Sequence, residues 1–326
     1  READNLFEIL KDLKKQGKTI IFVSHKLDEV LSLCDKLSVL RDGKHVGTRN
    51  CSDVTKQDII KMMIGRETTD SFLGFLDIEE RKVLEVKNIS QEGTFNNVSF
   101  DLKKGEILGF YGLIGSGRTE LARIVIGEDK KTSGEIIVNG EKAVINNMAD
   151  ALHKYKIGYI SENRKETGLI VNTSVKENIA ITIWRKIRRG FFKVLDLKEE
   201  DQIVEDVIEL LDIKTPSSKQ ITSNLSGGNQ QKVSFAKWIA ADCDVLIIDE
   251  PTIGVDVGAK ESIHNLIWEF AKEKDKSIIL ISSDLPELVK LARRVLVFRD
   301  FKIAGEVIGL NEKEHNYAET SETIGK

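Results

Sequence analysis

The sequence predicts an α/β protein with a mostly parallel core sheet, and three observations predict it. Apolar, strand-sized runs such as 245–248 and 278–281 alternate with stretches whose apolar residues recur at helical spacing. A segment rich in Lys, Arg and Glu, about 165–222, breaks the alternation with a helical period carried by Ile203, Val207, Leu210 and Leu211. The chain also repeats part of itself. At an offset of 258, residues 18–44 align with 276–302, and 11 of those 27 positions are identical, among them Ile20 with Ile278, Ser24 with Ser282 and Glu29 with Glu287.

Taken in order, residues 2–15 read as a helix through Leu6, Ile9, Leu10 and Leu13. Each copy of the repeat then reads strand, short helix, strand: an apolar run ending in Ser, an amphipathic stretch (Leu27, Val30, Leu31 or Leu285, Leu288, Val289), then Val39-Leu40 or Val297-Phe298. Only the second copy follows a full set of elements. Residues 1–66 are therefore expected to be the C-terminal part of a first domain, 67–81 a linker, 82–310 a complete second domain and 311–326 a polar tail. With no initiating methionine and a start in mid-helix style, the chain reads as an N-terminally truncated fragment. Within the second domain, 83–89, 98–102 and 107–111 read as strands, with Gly105-Glu106 as a turn, and 165–222 as a helical insertion.

Composition narrows the classes. The 326 residues are 40% apolar, enough for one large or two modest domains, and a net charge of -4 carries no footprint for nucleic acid. The basic cluster Arg185-Lys186-Ile187-Arg188-Arg189 reads as a solvated helix or loop. Cys34, Cys51 and Cys243 lack metal-ligand spacing and suit a reducing compartment. No run approaches the ~20 apolar residues of a membrane span, so any membrane association is expected to go through a partner.

The chemistry lies in two motifs. After the strand ending at Tyr111 comes Gly112-Leu113-Ile114-Gly115-Ser116-Gly117-Arg118-Thr119-Glu120, opening a helix. This is P-loop spacing, in which glycines let backbone N–H groups close around phosphates and Thr119 offers a hydroxyl to Mg²⁺. Arg118 stands where the motif calls for lysine; a planar fork replaces a point charge. It is expected to hold nucleotide and support hydrolysis poorly, unless the loop serves packing alone. Leu225-Ser226-Gly227-Gly228-Asn229-Gln230-Gln231-Lys232 opens another helix with backbone N–H groups and a hydroxyl to offer an anion. The apolar run 245–248 then ends in Asp249-Glu250-Pro251-Thr252. Asp249 is expected to bind Mg²⁺ and Glu250 to polarise an attacking water, although strand-end carboxylates can be ordinary. In the repeat, His25 matches Ser283; a histidine there can bond a γ-phosphate and water, or be structural.

These residues resemble the ATP-binding cassette family over nearly the whole chain. Gly112 to Thr119 is similar to that family's Walker A, Leu225 to Gln231 to its signature, Ile247 to Glu250 to its Walker B, and Gly254-Val255-Asp256 to its D-loop. His25 occupies the switch-histidine position of a first cassette and Ser283 that of a second, where it is degenerate. The Asn229-Gln230-Gln231-Lys232 signature, the Arg118-Thr119-Glu120 ending, Asp256 to Lys260 and Ser282-Ser283 before Leu285-Pro286-Glu287 resemble the tandem-cassette ATPases of monosaccharide importers of the ribose and galactose type. Tyr159 to Lys165 resembles their Q-loop, with Glu162 where most cassettes have glutamine. It departs at Ser161 and Asn163, where that group more often carries Pro and Asp.

The resemblance implies a P-loop NTPase cassette with an antiparallel β subdomain and a helical insertion, preceded by the remnant of a first cassette. It implies ATP and Mg²⁺ as cofactors, each ATP lying between one cassette's P-loop and the other's signature. The site using His25 and residues Ser226 to Gln230 is expected to hydrolyse ATP; that using Arg118 and Ser283 mainly to bind it. Implied partners are transmembrane permease subunits, an extracytoplasmic solute-binding protein acting through them, and the missing first cassette. The implied role is a peripheral translocase ATPase on the cytoplasmic face of the cell membrane, energising import of a simple sugar. A nucleoside or other small polar solute is an alternative cargo. A soluble tandem-cassette factor is a further alternative that the acidic segment 67–81 disfavours. Phe95 is a candidate for stacking on adenine or, equally, a core residue.

Overall fold

The computed structural model describes residues 2–24, 27–41, 43–64, 73, 76–190, 194–255, 257–274 and 276–308. Two compact units are present, Arg1–Ser71 with Asp256–Glu261 and Phe72–Val255 with Ser262–Lys326.

The first unit contains α1 (Glu2–Lys15), α2 (Leu27–Leu33), the antiparallel hairpin β1 (Lys36–Arg41) and β2 (Lys44–Asn50), and α3 (Lys56–Ile64). Its small core gathers Leu27, Leu37, Val39 and Ile59. The apolar run before α2, expected as a strand, is not one: Ile21 and Val23 are each 90% exposed. A strand needs a ladder on at least one side, and the described residues of this unit offer none to that run.

The second unit begins with β3 (Glu79–Ser90), β4 (Val98–Lys104) and β5 (Ile107–Gly112), followed by α4 (Arg118–Val125), β6 (Ser133–Val138), β7 (Glu141–Ala143), α5 (Met148–Tyr155) and β8 (Ile157–Ile160). The charged segment follows, with a π-helical turn at Arg164–Gly168, α6 (Val175–Ala180), the two-residue strands β9 (Arg188–Arg189) and β10 (Val194–Leu195), and α7 (Leu197–Leu210). Then come α8 (Gly227–Ala240), β11 (Val245–Asp249), α9 (Val257–Lys274, in this unit from Ser262), β12 (Ser277–Ser282), α10 (Leu285–Leu291), β13 (Arg294–Arg299) and β14 (Lys302–Ile308). The strand β3 starts inside the expected linker because β4 runs on to Lys104. Glu79 pairs with Lys104 at 2.6 Å and Glu80 with Lys103 at 2.7 Å. Most of the remaining linker and the whole expected tail lie outside the described residues.

Six strands form the main sheet in the order β14-β13-β5-β12-β11-β8, parallel except for β14. Strands covered on both faces must be apolar at every position, which explains the unbroken runs of β11 and β12. Alternate residues serve two cores. Leu246, Ile248, Ile278 and Leu280 pack with the helices of the charged segment and α8; Val245, Ile247, Ile279 and Ile281 pack with α4 and the antiparallel sheet β4-β3-β6-β7.

The repeat is visible in three dimensions. At the offset of 258, α2, β1 and β2 share their boundaries with α10, β13 and β14, and the strand register slips at Val39/Leu40 and again at Val297/Phe298. Ser24 Oγ donates to Glu29 at 3.0 Å, and Ser282 Oγ to Glu287 at 2.6 Å.

One ion pair fastens the two sheets. The Arg294 guanidinium bonds both carboxylate oxygens of Glu106 (2.7 and 2.9 Å), the Asp101 carbonyl (2.6 Å) and Glu306 (2.9 Å). Glu106 is only 2% exposed, so losing its partner strands a buried charge. Arg294→Ala is expected to cost about 3 kcal/mol or more in urea unfolding. Pairing it with Glu106→Gln is expected to recover part of that loss.

Candidate functional site

Four parallel strands end on one edge of the main sheet, and their last residues or the loops after them carry the motifs: Gly112 from β5, Tyr159 and Glu162 from β8, Asp249 from β11, Ser282-Ser283 from β12. In open α/β sheets this edge is where ligands bind.

The phosphate loop is shaped by contact. A Cβ on Gly112 would sit 2.6 Å from the Phe298 carbonyl oxygen and from Ser116 Oγ. Gly117, at φ 105°, has the rings of Phe301 and Phe95 within 2.9 and 3.0 Å of the place a Cβ would take. The turn between β13 and β14 closes on the loop, with the Phe301 N–H donating to the Ser116 carbonyl at 3.0 Å. Phe95 is 3% exposed and packs edge-on against Phe301, so its ring is a core ring and not free to stack on a base. Leu113, Ile114 and Gly115 form an exposed tip, and Glu120 sits half-buried in the first turn of α4.

Arg118 turns inward. It is 5% exposed, and its Nη1 lies 3.2 Å from Oε1 of Glu250, itself 7% exposed. Glu250 sits in the left-handed region at φ 46°, anchored by its N–H to the Ile281 carbonyl at 2.9 Å. Burial pushes its carboxyl upward, while Arg118 and the hydroxyl and N–H of Ser283 pull the other way.

Asp249 is fully buried. Burial pushes its carboxyl up to about 6 against hydrogen bonds from Thr119 and Tyr159. The Tyr159 hydroxyl donates to Oδ2 at 3.0 Å; Oδ1, like Ser116 Oγ, has no hydrogen-bond partner among the described residues. A buried acceptor and a threonine hydroxyl beside an N–H-lined loop suit a hard cation bridged to phosphate, so the residues present fit Mg²⁺ and nucleotide.

The signature lies elsewhere. Ser226 caps α8, accepting from the Asn229 N–H at 3.4 Å and from its side chain at 3.0 Å, while Asn229 also accepts from the Lys214 N–H at 2.8 Å. Its polar contacts run to neighbouring loops, not to the phosphate loop. Gln230 (5% exposed) and Gln231 (2%) point into the fold, with Gln230 donating to the Thr222 and Leu225 carbonyls. Gln230 thereby holds the loop before α8, and with both glutamines turned inward Ser226, Gly227 and Asn229 are left at the surface side. Glu162 is exposed just beyond β8, as is Ser283 beyond β12. His25 and Asp256 lie outside the described residues.

Three contributors had no role of their own in the sequence reading: Tyr159 and Arg164, named only as part of the Q-loop resemblance, and Phe301. Tyr159 carried one signal, a polar tip at the end of an apolar strand, which needs a partner when buried.

Residues 95–253 match the family described as ABC transporter. They belong to that family. The likeness runs beyond this ABC segment to nearly the whole chain. The ribose import ATP-binding protein RbsA of Clostridium perfringens (strain SM101 / Type A) is 46% identical over 316 residues, covering 97% of this chain and 62% of that protein. Its namesake in Bacillus subtilis (strain 168) is 43% identical over 308 residues, covering 94% and 62%. The chain thus spans about three-fifths of the length of these relatives. In three dimensions it is similar to an ATP-binding cassette of an ABC transporter in the ADP conformation (TM-score 0.59, 21% identity, 71% of this chain and 92% of that one). A dimeric post-hydrolysis cassette bound to ADP and Pi gives TM-score 0.59 at 22% identity, covering 69% and 98%. The fold is that of an ABC cassette.

The raised Asp249 carboxyl has a signed consequence. Between about pH 4, where it titrates in the unfolded chain, and pH 6 the folded chain holds the extra proton, so this group's contribution improves as pH falls through 6. Above pH 6 its full penalty applies, on the order of 3 kcal/mol. Asp249→Asn is expected to raise the melting temperature at pH 7.5 in ligand-free, metal-free protein. That gain shrinks toward pH 4.5; thermal scans across this range check it.

Proposed function

We propose that this chain is the nucleotide-binding part of an ABC importer ATPase that energises uptake of a simple sugar of the ribose class. The observation that carries the nucleotide reading is the unpartnered Asp249 Oδ1 beside Thr119, at the mouth of a phosphate loop whose Gly112 admits no side chain. The cargo class is supported by the 43–46% identity to ribose import proteins along nearly the whole chain.

In this reading the N–H groups of 112–119 cradle the phosphates of ATP, and Thr119 and Asp249 hold Mg²⁺. When bound, the cation offsets phosphate charge and polarises the phosphoryl group. Tyr159 fixes the rotamer of Asp249. Glu250 is the candidate proton acceptor for a water, but here it is bonded by Arg118 and Ser283. A carboxylate whose oxygens are engaged by a guanidinium and a serine is not free to receive a proton from water, so the site binds nucleotide more readily than it turns it over. Ser226 to Gln230 are the surface that would meet the P-loop of another cassette at a second, hydrolytic site; His25, outside the described residues, keeps the switch role that its place in the repeat suggests.

Among the described residues no helix is long and apolar enough to cross a membrane. We place the protein peripherally on the cytoplasmic face, coupled to permease subunits that receive cargo from an extracytoplasmic binding protein.

Calorimetric titration of this chain with ATP is expected to show micromolar binding that needs Mg²⁺ and is lost in Thr119→Ala. Absence of binding with Mg²⁺ present overturns the reading. Arg118 also answers two anions, Glu250 and phosphate. Glu250→Gln frees the guanidinium and is expected to tighten ADP binding several-fold in the same titration; unchanged affinity would show that Arg118 does not mediate between them.

A further inference from the structure

Arg164 is the first residue of the π-helical turn that follows β8 and Glu162. Its guanidinium is spent on backbone: Nη1 donates to the Ile253 carbonyl at 3.0 Å and Nη2 to the Gly254 carbonyl at 3.1 Å. These carbonyls belong to the loop after Glu250, 89 and 90 residues away in sequence. Nη2 also lies beside the start of α8, close enough that a Cβ added to Gly227 would meet it at 3.1 Å. No carboxylate pairs with Arg164 among the described residues, and its Nε is buried without a partner. Burial lowers the pKa of this guanidinium, so its charged form is held at an energetic disadvantage.

The other end of the turn is fastened too. Lys237, on α8, donates to the Gly168 carbonyl and is pushed down to about 8 by burial. Within the turn, the Thr167 hydroxyl donates to Ser161 Oγ at 2.9 Å, and the Asn163 side chain accepts from the Glu166 N–H at 3.3 Å. Single π turns inside otherwise regular folds concentrate at functional sites. This one bonds the loop carrying Glu162 to the loop following Glu250 and to the last turn of α8, and sets its guanidinium beside the first turn of that helix. It also adds a cation to the end of a helix that already presents unsatisfied N–H groups.

We propose that Arg164 is a positioning residue that locks the 251–254 loop and the start of α8 into one body with the Glu162 loop, so that Ser226, Gly227 and Gly228 face phosphate in a fixed geometry. The role belongs to the fork: two carbonyls on successive residues need two parallel N–H donors, which lysine cannot supply. The inference rests on the proposed function only for what Ser226 to Gly228 face, not for the lock itself.

Hydrogen–deuterium exchange of this chain without nucleotide tests the lock. Arg164→Lys and Arg164→Gln are expected to speed exchange at 225–230 and 251–255 by tenfold or more, with 113–120 unchanged. Added methylguanidinium is expected to restore protection in Arg164→Ala. Unchanged exchange in Arg164→Gln, or full protection in Arg164→Lys, overturns the proposal. If Arg164→Ala does not fold, the Lys and Gln variants decide alone.

In the assembled transporter the same Lys variant is expected to lower kcat for ATP without moving KM, whereas an equal loss through KM would count against a lock on the signature. Failure of the parent chain to bind ATP would overturn the proposed function and leave the exchange result standing.

Discussion

Asp249 and Glu250 terminate a strand buried on both faces, and the cost of holding two adjacent carboxylates there governs what surrounds them. Burial alone would drive both toward their neutral forms. Glu250 is answered by the one guanidinium the phosphate loop supplies, and by Ser283 at the end of the next strand. Asp249 is answered by Tyr159 and Thr119 but keeps one oxygen unsatisfied. The parallel sheet makes this concentration possible, because its register brings the ends of β5, β8, β11 and β12 to one edge. The same register is maintained by packing far from the edge, in the two cores that alternate residues of each strand fill.

Much of this was legible in the sequence, and the reason is spacing. The phosphate loop, the signature and Asp249-Glu250 are local patterns, each tied to a strand end or helix start, and the structure seats them there. What was not legible depends on pairs distant in the chain. Arg118 stood out as a departure from lysine, yet nothing local to it announces that its partner is Glu250, 132 residues on. Tyr159 meets Asp249 across 90 residues. Gln230 and Gln231 read as part of an anion-facing motif; helical geometry turns both inward, where one braces the loop before α8.

The expected strand before α2 failed for the complementary reason. Residues 20–23 have the same apolar character as 278–281, and the helix and hairpin that follow each share boundaries to the residue. Local sequence suffices for a helix and a hairpin, whose hydrogen bonds close within the segment. A parallel strand does not close its own bonds. β12 exists because β5 and β11 flank it.

The repeat also shows where the second copy has been adapted. The hairpin turn uses Gly43 in the first copy, at φ 72°, and Phe301 in the second, at φ 58°. Glycine enters that region freely, whereas a bulky side chain there carries strain of about 1–2 kcal/mol. Phe301 offsets it by its edge-on ring contact with Phe95, by filling the space a side chain on Gly117 would need, and by its N–H bond to Ser116. A strained residue sustained by contacts to the phosphate loop is what a turn recruited to clamp that loop requires. The clamp also explains why Phe95 is covered: its ring serves as the floor on which Phe301 and Gly117 rest.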